Sequence, residues 1–186
     1  MIEIEYSRAS EATTLCKACG LCCTGHLFSW TRLKASELTP LEKLGLKVIR
    51  SDPRQRGFTQ PCPIWNGVCA IYQSRHYPRG CDSYNCKLLR ELLNESVALP
   101  KALKAVKQAK GKILIVEKLL PPSKQNSFRE RVVDRLERLD NSVKPNATDS
   151  EFQSKARELL GYLENQFGVN DFLEIPQVTP QTRPAC

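Results

Sequence analysis

Residues 100–122 read PKALKAVKQAKGKILIVEKLLPP. Leu103, Val106, Ile113, Val116 and Leu120 recur at steps of three, seven, three and four, the spacing of one helix face. A proline is tolerated in the first turn, where its missing N–H has no partner anyway, so Pro100 opens this helix. Pro121 and Pro122 close it near Leu120, because proline can neither donate to the ladder nor clear the preceding carbonyl. A helix of this length sets the class of the whole chain as mainly α.

The same reading extends outward on both sides. Upstream, a helix begins near Asp82 or Ser83 and presents Leu88, Leu89, Leu92 and Leu93. Downstream, Phe128, Val132, Leu136 and Leu139 define a helix over roughly 124–139. Thr148-Asp-Ser-Glu151 reads as a capping box ahead of Phe152, Ala156, Leu159, Leu160, Leu163 and Phe167, and Gly168 reads as its stop. A tail with Pro176, Pro180 and Pro184 lies extended or loose. The first 35 residues hold a short extended start. Ser36 caps a helix over 36–50, with Leu38, Leu41, Leu44, Leu46 and Val48 as its contacts and Pro40 in its first turn. Asn66-Gly67 is a tight-turn signal, placing Cys62 and Cys69 on the arms of a small β-hairpin.

The N-terminal half is unusual in its sulfur. Cys16-Lys-Ala-Cys19-Gly-Leu-Cys22-Cys23 puts four thiols in eight residues, and Cys62, Cys69, Cys81 and Cys86 follow. The ninth, Cys186, ends the chain and reads as a bystander. Cys-x2-Cys lets one turn aim two sulfurs at one ion while backbone N–H groups support the thiolates. Adjacent Cys22 and Cys23 cannot easily converge on one ion with the others, so they serve two sites, or one ligates while the other supports or bridges. Eight thiols would suit two four-sulfur centres. Spacing alone does not choose between zinc and iron–sulfur. Cys81 and Cys86 also admit the plainer reading of buried structural thiols. His26 and His76 read as solvated or capping residues rather than ligands.

At 186 residues the chain suffices for one domain without disulfide staples. The sequence Met-Ile-Glu-Ile-Glu-Tyr is not a secretory signal, and no run approaches the ~18 apolar residues of a membrane span. The expected compartment is the cytoplasm, where clustered thiols favour metal over disulfide. The formal charge is +8. Eight thiolates on two divalent ions would bring it to about +4. Charge alone permits nucleic-acid binding, with Lys101, Lys104, Lys107 and Lys110 as the candidate patch, but the thiolate correction weakens that signal.

The cysteine run, together with Pro61-Cys62-Pro63, Cys69-Ala-Ile71-Tyr72 and Pro78-Arg-Gly-Cys81-Asp-Ser-Tyr84-Asn-Cys86, resembles the CxxCxxCC family, the zinc- or iron-chelating domain of YkgJ-like cysteine-cluster proteins. The resemblance spans residues 16–86. It departs where His76-Tyr77 separate Arg75 from Pro78, and where Asp82 replaces an arginine. It implies a bound metal or iron–sulfur centre on Cys16, Cys19, Cys22, Cys23, Cys62, Cys69, Cys81 and Cys86. A related module occurs in flagellin lysine methylases, but this chain has no Gly-rich cofactor loop after a strand.

The expected protein is therefore mainly α, with an irregular cysteine-rich metal-binding half (1–90) bearing a small hairpin and packed on a helical half (91–186) as one integrated domain. The expected cofactor is an iron–sulfur cluster of the 4Fe-4S type in a redox or accessory role. The alternative is a structural zinc module mediating protein or RNA interaction. A protein partner is expected and no membrane. An enzymatic role would draw on Glu37, Asp82 and Tyr84, for which no acid–base pairing is legible.

Overall fold

A computed structural model describes residues 2–122, 127–141 and 146–169, with side chains from residue 10 onward. In chain order it contains α1 (Ile2–Cys19), β1 (Trp30–Arg32), α2 (Ala35–Lys43), β2 (Val48–Ile49), β3 (Gly57–Thr59), α3 (Arg79–Ser83), α4 (Lys87–Leu93), α5 (Leu99–Leu119), α6 (Phe128–Asp140) and α7 (Ala147–Phe167). The chain is mainly α with a small antiparallel sheet. Cys186 and the proline-spaced tail fall outside the described residues, as do positions 124–126 of the helix expected over 124–139.

Two compact units share these elements. Residues 2–19 and 86–169 form the first, and residues 20–85 the second. The chain crosses between them at 19/20 and at 85/86.

The first unit is helical throughout. α5 packs on α7, α1 and α4, and α7 also packs on α4 and α6. Phe152, Leu159, Leu163 and Phe167 of α7 are almost wholly withdrawn from water, each side chain contributing about 1.5–3 kcal/mol of burial. The inward face of α5 is Ala102, Ala105, Val106, Ala109, Ile113 and Val116. Leu103, expected inward, is only half-buried. Three alanines take that face instead, because small side chains let the helices approach closely. Arg135 ties α6 to its neighbours. Its guanidinium donates to the Leu119 carbonyl, pairs with Asp149 at 2.8 Å and lies 4.4 Å from the Phe152 ring centroid.

Helix ends follow local chemistry. Ser127 and Glu130 form a reciprocal capping box at the start of α6. At α7 the cap is Asn146, whose side chain accepts from the Asp149 N–H at 2.9 Å, and not Thr148. The chain enters the helix two residues earlier than the sequence signal placed it. Gly168 ends α7 with φ +71, a conformation that disfavours a Cβ. The extended start expected before the first cysteine is instead helix α1.

The second unit holds a three-stranded sheet in the order β1-β3-β2, with Thr31 opposite Phe58 and Val48 opposite Phe58 on the other side. Leu33, Leu38, Leu41, Leu46 and Phe58 form its core, with Cys62, Ile64 and Ile71 packed against it. The helix expected over 36–50 stops at Lys43, and Val48–Ile49 turn back as strand. Pro40 sits inside α2 rather than in its first turn. The expected hairpin at Asn66-Gly67 reduces to one bridge between Trp65 and Cys69. The real strands lie elsewhere because 30–32 and 57–59, distant in sequence, supply the pairing. No helix among the described residues is long and apolar enough to cross a membrane.

Candidate metal centre

The unit boundary cuts through the cysteine run. Cys16 and Cys19 end α1 in the first unit, where Cys86 also lies at the head of α4. Cys22, Cys23, Cys62, Cys69 and Cys81 belong to the second. All eight stand as thiols, each partly buried.

In the second unit, local backbone geometry gathers the five. Residues 20–26 coil tightly, with the Thr24 N–H on the Gly20 carbonyl at 2.9 Å and the His26 N–H on the Leu21 carbonyl at 3.0 Å. Gly20 adopts φ +65 with the Trp65 indole lying over it, where a Cβ would fall within the ring. Only glycine meets both demands. The Cys62 N–H donates to the Cys23 carbonyl at 2.7 Å, tying the first cysteine loop to the second. Gln60, just before this turn, is buried and anchored: its backbone N–H reaches the Ser29 carbonyl at 2.9 Å, and its amide donates to Thr31 Oγ1 at 2.8 Å. Cys62 and Cys69 each open a short turn, closed by Trp65 N–H on the Cys62 carbonyl at 3.1 Å and Tyr72 N–H on the Cys69 carbonyl at 3.3 Å.

Cys81 arrives on α3, a helix of five residues. So short a helix needs an external anchor. Glu37 supplies it, accepting the Lys34 N–H at 2.6 Å on one carboxylate oxygen and the Arg79 N–H at 2.7 Å on the other. The carboxylate thus joins the N-termini of α2 and α3, where partial positive charge favours it. Tyr77 donates to the Cys81 carbonyl at 3.4 Å and packs on Tyr72 with ring centroids 5.1 Å apart.

The electrostatics couple these thiols to one another. Burial pushes the Cys81 thiol far up, and Cys23, Cys22, Cys62 and Cys69 push it further in the same direction. Burial raises Cys62 most and Cys69 adds to it, while the nearby Ile64 and Trp65 backbone amides pull the other way. Tyr77 is raised by burial, then by Cys81, Tyr72, Cys69 and Cys23. In the first unit burial raises Cys86, with the Leu89 N–H foremost among the groups opposing it. Cys86 Sγ accepts that N–H at 3.4 Å and so caps α4.

The donor chemistry fits a thiophilic metal. The ligand-type side chains contributed here by Cys22, Cys23, Cys62, Cys69 and Cys81 are sulfur, and the Ile64 and Trp65 amides favour the charged form of Cys62. Among the described residues, no three His, Cys, Asp or Glu side chains converge as they stand on one ion. The thiols share a neighbourhood without forming a closed coordination shell. The histidines are engaged otherwise: His26 Nδ1 is 2.6 Å from Thr24 Oγ1, and His76 Nε2 accepts from Arg75 at 3.0 Å. Of the candidate catalytic residues, Glu37 is taken by two backbone donors, Tyr84 packs edge-on against Phe28 at 5.0 Å, and Asp82 is exposed. Sequence reasoning missed the anchoring role of Glu37, since its partner lies 42 residues away.

No protein-family model, curated protein or solved structure matches this chain.

Proposed function

We propose that this chain is a cysteine-cluster metalloprotein of the CxxCxxCC kind, binding an iron–sulfur centre in a redox or accessory role. The observation that carries the reading is that the Cys62 N–H ties its segment to the Cys23 carbonyl at 2.7 Å, and that Cys22, Cys23, Cys62 and Cys69 all act electrostatically on a partly buried Cys81. Thiols so placed resist ionisation because each thiolate would repel the next in poorly solvated space. A bound cation reverses that, since ligating thiols are deprotonated outright and the positive charge offsets their repulsion. The Ile64 and Trp65 amides lower the Cys62 pKa, a stabilisation that favours the thiolate a metal would bind. Eight thiols exceed what one tetrahedral ion takes, which favours a cluster or more than one centre. A compartment that keeps thiols reduced, such as the cytoplasm, suits this chemistry.

The test is metal analysis with visible and EPR spectra on anaerobically purified protein. Iron and sulfide, with broad absorption that dithionite bleaches, are the expected result. Colourless protein containing stoichiometric zinc would replace this reading with the structural zinc module. Protein free of both metals, with its cysteines paired to one another, would end it.

A further inference from the structure

Helix α5 has two opposite faces. Its buried residues, Ala102 to Val116, occupy about 100° of arc. Directly opposite, Lys104, Lys107, Gly111, Leu114, Ile115 and Lys118 occupy another arc of about 100°. Leu114 and Ile115 are 54% and 45% exposed, among the most exposed large apolar side chains described. The other lysines near this strip are employed within the first unit: Lys110 donates to the Ala18 carbonyl at 2.8 Å, and Lys112 pairs with Glu158. Among the described residues no ion pair takes Lys104, Lys107 or Lys118. The patch expected on Lys101, Lys104, Lys107 and Lys110 is therefore redrawn, with Lys118 in and Lys101 and Lys110 out.

Gly111 lies at the centre of this strip. A glycine in a helix interior costs stability relative to alanine. Here the fold gains nothing from it, because a Cβ at 111 would meet no atom within 4 Å and no positive φ requires it. A residue without a side chain, midway between exposed apolar and cationic groups, leaves a shallow notch on the outside of the helix.

We infer that this outward strip of α5 docks an acidic amphipathic helix from a partner protein. The partner helix crosses at Gly111, rests apolar side chains on Leu114 and Ile115, and sets carboxylates against Lys104, Lys107 and Lys118. Charge complementarity selects this occupant. A second copy of a chain carrying +8 would bring like charge to the strip. A membrane surface would gain little from two apolar side chains on a helix whose opposite face is already committed to the core. RNA would satisfy the lysines but leave Leu114 and Ile115 against phosphate and water. This inference does not depend on the metal centre.

The test titrates a synthetic helical peptide, with leucines at i, i+3, i+4 and i+7 flanked by glutamates, into the full isotope-labelled protein, observed by NMR. Phosphatidylglycerol vesicles and a single-stranded RNA oligomer are run in parallel. Saturable shifts confined to residues 104–118 are expected, weakening several-fold as salt rises from about 50 to about 300 mM. Lys104→Glu with Lys107→Glu and Lys118→Glu is expected to weaken binding at least about tenfold. Gly111→Gln is expected to do the same while raising the thermal midpoint, which separates docking from folding. Absence of saturable shifts at about 1 mM peptide, peptide binding indifferent to both variants, or tighter binding of vesicles or RNA through these residues would overturn it.

Discussion

Glu37 holds α3, and α3 carries Cys81, so Glu37→Gln probes the candidate centre without touching a sulfur. The carboxylate accepts two backbone N–H groups at 2.6 and 2.7 Å. Hydrogen bonds to an ionised group are worth about 1.5–3 kcal/mol net when well shielded. Glu37 is half-buried, and water screening brings each toward the lower end of that range. Glutamine keeps one acceptor oxygen but turns an NH2 toward the second N–H, so one bond is lost and a donor faces a donor. The anchoring of α3 should fall by about 1–2 kcal/mol. α3 is only five residues long, and beside this anchor it has the long Tyr77 bond to the Cys81 carbonyl and its packing on β1, so much of the loss passes to any state that needs Cys81 in place. Since 1.4 kcal/mol is a factor of ten, thiolate-metal affinity should drop about tenfold. The assay is chelator competition with cadmium on reduced, metal-free protein, followed by thiolate charge-transfer absorbance. Affinity within about twofold of the parent, with undiminished absorbance, would refute the anchoring role while leaving the metal reading standing.

Gly20→Ala should be more severe, because a Cβ at φ +65 lands within the Trp65 indole. Displacement of that indole, seen as a red-shifted Trp emission, should accompany loss of metal binding. Gly168→Ala should destabilise the first unit by about 1–2 kcal/mol in urea unfolding, since Gly168 has φ +71 and the new Cβ would stand 3.0 Å from Lys87 Cβ. In metal-free protein, stability should fall as pH rises above 9.0, the ordinary value from which Cys81 and Cys62 are displaced upward. Between the unfolded and folded values the unfolded chain has released protons that the folded chain keeps. Each such thiol then contributes a decline of up to about 1.4 kcal/mol per pH unit. Below pH 9.0 the effect vanishes, and Cys81→Ala should flatten the slope. Bound metal should abolish that decline, because the thiolates no longer titrate.

Long helices were readable because their signals are local. Pro100, the doubled proline at 121–122 and a 3.6-residue apolar period lie within the segment they organise, and α5 ends within a residue of expectation. The three alanines on its inner face escaped notice because alanine carries little hydrophobic signal, while close helix contact rewards its small size. The Asn66-Gly67 hairpin failed for the opposite reason. Its turn brings Trp65 to Cys69 in a single bridge, but the ladder goes no further. The sheet forms instead from β1, β3 and β2, because pairing energy depends on what lies across the sheet. The N-terminal segment, short of an apolar stripe, gave no helical period to detect.

By itself the sequence determined a mainly helical chain and a set of sulfur donors, since helix period, proline stops and Cys-x2-Cys spacing act over a few residues. Tertiary structure alone decided which cysteine-bearing segments meet. Cys62 reaches Cys23, and Glu37 pins the segment carrying Cys81, through contacts between residues about 40 positions apart. Closing such loops is governed by the whole chain's packing, which no local pattern encodes.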